Sequence, residues 1–144
     1  MTESCPRCDG ARIRVVVPDE IRDQAAASML ACCVRCLAAD PVESEDARGE
    51  PAESTANDAT AEPSVERIHR RFPTGEGGVG LIVLLQQLDS LALNRPAIES
   101  VVGYLETQGV DLFLALDRLL DAPDVDPYFD LARRRDQLAQ LLDW

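Results

Sequence analysis

No lysine occurs anywhere in this sequence: its fourteen basic residues are all arginine, set against 26 acids for a net charge of −12 over 144 residues. Nor is there an apolar run near the ~20 residues that a membrane helix needs. The best stretch, Val79 to Leu85, is about a third of that length and ends in Gln86 and Gln87. The opening MTESCPRC has neither a basic segment nor an apolar one, so a secretory signal is not expected and a reducing, cytoplasmic address is. Histidine occurs once, at His69, without a Ser or Asp in a recognisable arrangement around it, which removes the usual routes to nucleophilic or general-base catalysis. The chain is too short for a large enzyme, but long enough for one ordinary domain or two small modules.

Five cysteines are present, and four of them fall into two C-x-x-C pairs, Cys5-Pro6-Arg7-Cys8 and Cys33-Val34-Arg35-Cys36. In a reducing compartment such pairs read as metal ligands before disulfides. Tetrahedral zinc takes four thiolates at ~2.3 Å, and a tight turn at this spacing presents two sulfurs to one point. Gly10 suits the turn after the first pair, where glycine adopts backbone conformations other residues avoid. Arg7 and Arg35 each precede the second cysteine of a pair, where a guanidinium offsets the negative charge of a four-thiolate centre. Iron would accept the same ligands, so ligand type does not separate it from zinc. Buried apolar packing is the alternative fate of free cysteines. A redox dithiol at Cys33 and Cys36 is a further reading, but it leaves the Cys5 pair unexplained.

The fifth thiol, Cys32, adjoins Cys33. Neighbours on an extended chain alternate faces, so with Cys33 on the metal Cys32 turns away and packs. A Cys32-x-x-x-Cys36 register is the alternative.

Charge divides the chain in three. Residues 1–39 hold five arginines against five acids; residues 40–66 hold nine acids and only Arg48; residues 67–144 hold eight arginines and twelve acids. The middle stretch has three prolines and almost no large apolar side chain. It cannot bury enough surface to offset its ordering entropy, so it reads as a disordered acidic linker between modules free to move relative to each other.

In the first module Ala11 to Val17 reads as a strand, Ser28 to Cys33 as its partner, and the intervening PDEIRDQAAA as a turn of helix. In the last, Leu81, Leu84, Leu85, Leu88 and Leu91 recur at three and four, predicting a helix over 77–93. Asn94 with Pro96 opens a second helix that Gly109 stops. Asp111 caps a third, whose leucines and Phe113 leave few polar faces and place it at the centre. A fourth begins at Asp126 and Pro127. Short connections suggest a compact antiparallel bundle.

Two weaker patterns carry bland expectations. Gly75 to Gly80, GEGGVG, matches G-x-G-x-x-G, but the preceding RIHRRFP is no strand, so a flexible loop opening a helix is expected rather than a dinucleotide site. Arg70 and Arg71 nearby leave an anion site as the minor reading. Arg133, Arg134 and Arg135 point in different directions on a helix and read as a solvated face, with Asp130 as a partner for Arg134.

C-P-R-C-D-G, a β-run and C-V-R-C resemble a zinc ribbon, and more narrowly the small CPxCG-related zinc-finger proteins of haloarchaea. With LDSLALNRPAIESVVGYLETQGVDLFLALDRLL behind it, the chain resembles an uncharacterised haloarchaeal family that couples two C-x-x-C motifs to a helical C-terminal region. The first motif departs from that pattern: CPRCD replaces CPxCG, with glycine one place late. Haloarchaeal origin would make the acidity a solvent adaptation, since high salt screens the self-repulsion of a compact acidic protein.

The expectation is therefore an α+β chain: a small zinc ribbon in 1–39, a β-hairpin with two zinc knuckles; an acidic linker in 40–66; and a bundle of about four helices in 67–144. Structural zinc on Cys5, Cys8, Cys33 and Cys36 supplies folding energy that a module of this size lacks. No catalytic or cofactor-binding residue and no small-molecule substrate is evident. A protein partner is expected, with nucleic acid bound through Arg12, Arg14, Arg22 and Arg35 as the alternative and thiol redox chemistry as a third reading.

Overall fold

The computed structural model describes Cys5, residues 7–41, Val65, residues 68–69, 71–73 and 75–142. Within them the fold is α+β, with a three-stranded antiparallel sheet followed by helices. Strands β1 (Arg12–Val16), β2 (Met29–Cys33) and β3 (Ala39–Pro41) lie in the order β1-β2-β3. A single turn of 3-10 helix (Asp19–Ile21) and the short helix α1 (Arg22–Ala25) join β1 to β2. Ala26, left-handed at φ 60°, ends α1.

The first two strands follow from alternation. Ile13 lies opposite Cys32 and Val15 opposite Leu30, and all four are buried on the sheet's inner face. Arg12 lies opposite Cys33 and Arg14 opposite Ala31 on the other face. The third strand extends the expected hairpin. Ala39, Asp40 and Pro41 carry no strand signature; they pair with β2 because the Cys33–Cys36 turn reverses the chain alongside it. The stretch expected as a disordered linker lies mostly outside the described residues, but at its ends Asp40 and Pro41 belong to β3 and Val65 is buried.

Four longer helices follow: α2 (Gly75–Leu88), α3 (Arg95–Thr107), α4 (Leu112–Asp121) and α5 (Leu131–Leu141). Helix α2 starts and stops earlier than its leucine spacing predicts. The GEGGVG stretch forms its first turns, which removes the expected loop and the dinucleotide reading with it. A Cβ on Gly78 would collide with the carbonyl oxygen of Pro73, and one on Gly80 would lie 2.9 Å from Leu105 Cδ2 in α3. These glycines allow close approach. Helix α2 is accordingly the central helix, buried from Gly77 to Leu85, whereas α4, expected at the centre, exposes Leu114 and Leu120. A run of leucines does not say which turns of a helix are covered.

Asp111 caps α4 by accepting from Leu114 N at 3.2 Å, as its position suggests. Asn94 precedes α3, but its amide donates back to Gln87 O of α2 at 3.2 Å. Helix α5 begins later than expected. Asp130 caps it by accepting from Arg133 N at 3.0 Å, and Asp126 to Tyr128 run outside any helix. Arg134, expected to pair with Asp130, bonds Gln137 at 2.9 Å, while Arg135 pairs with Asp117 at 3.1 Å and lies over Phe113.

Segments 1–39 and 67–144, read as separate modules, contribute to one apolar core. Ile13, Val15, Leu30, Cys32 and Leu37 join Leu81, Leu85, Ile98, Leu116 and Leu138 in a single buried cluster. Gln87 strengthens the junction by donating to Gln24 O at 2.8 Å. The physical reason is β2, whose last four residues are buried: a strand covered on both faces needs more than a forty-residue ribbon to cover it.

Candidate metal centre

Two turns of matching construction place the cysteines. In the first, Cys5 N donates to Gly10 O and Asp9 N to Cys5 O, both at 2.8 Å. In the second, Cys33 N donates to Ala38 O at 2.9 Å and Leu37 N to Cys33 O at 3.1 Å. The offsets along the chain are identical. In each turn the residue just after the second cysteine is left-handed, Asp9 at φ 64° and Leu37 at φ 67°. Asp tolerates that conformation; for leucine it is strained, and burial of Leu37 in the main core holds it there.

Gly10 has a different role from the one its sequence position suggests. The positive φ falls on Asp9, one place earlier. A Cβ on Gly10 would lie 3.0 Å from Cys33 Sγ and 3.2 Å from Cys8 Sγ, so glycine lets the chain pass close over the sulfurs without pressing on them.

The four sulfurs of Cys5, Cys8, Cys33 and Cys36 lie within 4.8 Å of one another. Across the two turns, Cys5 and Cys36 approach to 3.6 Å and Cys8 and Cys33 to 3.5 Å. Ligands at ~2.3 Å around a tetrahedral zinc would be ~3.8 Å apart, so the donor set fits such an ion in both chemistry and spacing. Cys5, Cys33 and Cys36 are buried and Cys8 is half-buried; with Ala38 and Tyr128 they form a small cluster separate from the main core. Among the described residues no histidine or carboxylate joins the group.

Backbone N–H groups point at the sulfurs. Arg7 N donates to Cys5 Sγ at 3.4 Å, and Arg35 N and Cys36 N donate to Cys33 Sγ at 3.3 and 3.4 Å. Burial pushes the Cys5 thiol up, but the N–H groups of Arg7 and Cys8 and the thiols of Cys36 and Cys33 outweigh it, leaving Cys5 lowered to about 7. Burial raises Cys33 and Cys36. Without metal, Cys33 and Cys36 therefore hold their protons at neutral pH, while Cys5 is eased toward its thiolate. A metal ion must displace them.

Cys32 takes no part. Its side chain is wholly buried on the inner face of the sheet, and burial followed by the neighbouring Cys33 pushes its thiol up to about 12. Neighbours on β2, Cys32 and Cys33 thus pack in different clusters, Cys32 in the main core and Cys33 among the four sulfurs.

Other elements reach the centre that cysteine spacing does not reveal. The connection between α4 and α5 lies along the second turn: Asp126 N donates to Arg35 O at 2.7 Å and Tyr128 N to Cys36 O at 3.0 Å. The Arg7 guanidinium lies 4.3 Å from the centre of the Tyr128 ring. Arg7 between two cysteines is visible in the sequence, but nothing marks Tyr128 as its partner. His69 stands outside the cluster and accepts from Arg71 N at 3.0 Å. The anion reading falls on Arg70, outside the described residues.

A family model matches residues 4–142, a span that takes in both cysteine turns, the sheet and all the helices. The chain belongs to the family of unknown function DUF6276. No curated protein and no solved structure matches it. In this DUF6276 chain, then, the four-cysteine cluster is the feature that carries recognisable chemistry, and no described helix is long and apolar enough to cross a membrane.

Proposed function

We propose that this DUF6276 chain is a zinc ribbon protein that holds one structural zinc ion on Cys5, Cys8, Cys33 and Cys36. It acts without catalysis, as an adaptor or regulatory protein that binds another protein. One observation carries the metal reading: four sulfurs within 4.8 Å on two turns of the same hydrogen-bond pattern. Four thiolates fill a tetrahedral ion, leaving no position for water or substrate, which argues for a structural role. A reducing, cytoplasmic setting suits five free thiols. The acidity fits a salt-rich cytoplasm of the haloarchaeal kind.

Cobalt substitution tests the metal reading. Cobalt(II) added to the metal-stripped, reduced chain is expected to give one equivalent of a tetrahedral tetrathiolate spectrum, displaced by zinc. Saturation without thiolate charge-transfer bands would contradict it.

Nucleic-acid binding is the second reading, favoured by Arg12 and Arg14 on the outer face of β1. Against it, Arg12 lies 3.9 Å from Asp40, and Arg22 is held by Asp19 at 2.7 Å and by Val17 O at 2.9 Å. Fluorescence anisotropy with DNA and RNA at low salt decides between them. The adaptor reading expects no binding; affinity that falls steeply with salt and weakens in Arg12→Ala and Arg14→Ala would replace it.

A further inference from the structure

We infer that metal occupancy of the cysteine cluster controls the docking of residues 126–130, so that the start of α5 reports the metal state of the sheet end of the molecule. The inference rests on the metal reading above and adds a regulated element to it. Three contacts hold this segment to the cysteine turns: Asp126 N on Arg35 O, Tyr128 N on Cys36 O, and the Tyr128 ring under the Arg7 guanidinium. All three partners lie inside the C-x-x-C turns. Tyr128 also packs its side chain on the small sulfur cluster.

The rest of the molecule is anchored elsewhere. Val125 and Leu131, on either side of the segment, belong to the main core, as do the inner face of the sheet and α2. These do not depend on the sulfurs. The facing turns do: Cys5 meets Cys36 and Cys8 meets Cys33 across them, an ion shared by the four sulfurs would hold the two turns together, and left-handed Asp9 is a conformation that needs such support. Loss of the ion leaves thiols that no longer share a centre, lets the turns relax, and removes the geometry that presents Arg35 O and Cys36 O side by side. Solvent already reaches the seam, where a cleft of about 530 Å³ is lined by Arg35, Pro123, Asp124, Val125 and Asp126. Release of residues 126–130 lifts the Tyr128 ring from the sulfur cluster.

Hydrogen exchange read by mass spectrometry on the full chain, zinc-loaded and chelator-stripped under reducing conditions, tests this, with zinc content measured on each sample. In the stripped chain, amides of 126–130 are expected to exchange at least tenfold faster while α2 keeps its protection. Tyr128→Ala is expected to retain one zinc and yet show the same fast exchange when loaded. Unchanged protection of 126–130 in a chain shown to have lost its zinc overturns the inference and leaves the metal reading standing. Loss of protection throughout α2 also overturns it, because the ion would then hold the whole fold. A chain that takes up no zinc overturns both.

Discussion

At Gly10 any side chain would press on the sulfurs. Gly10→Ala places a methyl 3.0 Å from Cys33 Sγ and is expected to weaken metal binding roughly 10–100-fold, the range for a residue that supports ligands without being one. Competition with a chromogenic chelator reads this directly, and unchanged affinity would show that the turn can give way. Cys33→Ser should release the metal, whereas Cys32→Ser should keep it and lose stability by about 1–3 kcal/mol for a hydroxyl buried among apolar side chains. The native, metal-loaded chain should likewise protect Cys32 from alkylation until it unfolds. Protonation gives a further check. Because Cys33 and Cys36 are raised and hold protons at neutral pH, zinc binding must expel at least these two, so affinity should rise with pH. Calorimetry in two buffers of different ionisation enthalpy counts them; a pH-independent affinity would mean that the thiols are not the ligands. The four-cysteine cluster was legible because two C-x-x-C pairs state their geometry locally, and the separate place of Cys32 because strands alternate. The purpose of Gly10 was not, since its tightest contact is with the sulfur of Cys33, more than twenty residues away in the chain.

Helices tell a similar story at the next scale. Asp111 announced α4 correctly through a local bond, but which helix is central depends on packing that leucine spacing does not express. In α2 the answer lies in its glycines, whose formal match to a phosphate-binding pattern conceals a packing role. The contrast with Gly103 is testable. Gly103 is exposed in α3 with nothing near its missing Cβ, so Gly103→Ala should stabilise the chain by about 0.5–1 kcal/mol through helix propensity. Gly78→Ala gains the same propensity but sets a methyl against the Pro73 carbonyl, a backbone atom that cannot swing away, and should destabilise by about 1–3 kcal/mol. Thermal or denaturant unfolding of the two variants should shift in opposite directions; a shared direction would contradict the packing account of α2. Strand β3 and the late start of α5 escaped the sequence for one reason. Both are set by what the cysteine turns offer them, a backbone edge for β3 and two carbonyl oxygens for Asp126 and Tyr128.

For the molecule as a whole, the sheet and the helices share one core among the described residues, and the cysteine cluster packs separately from it. The sequence did not reveal this: a neutral and an acidic segment divided by a strongly charged stretch read as separate modules, and the burial of β2 on both faces shows only in the structure. A net charge of −12 carried without lysine should make stability rise with salt. Melting temperature is expected to climb from low to molar potassium chloride, and a fall would remove the salt-adaptation reading. The central claim remains that Cys5, Cys8, Cys33 and Cys36 act together as one metal centre. Quantifying zinc and titratable thiols together, on the chain purified under reducing conditions, tests it most directly: one zinc per chain with the four thiols unreactive until the metal is removed is the predicted result, and substoichiometric zinc with freely titrating thiols would contradict it.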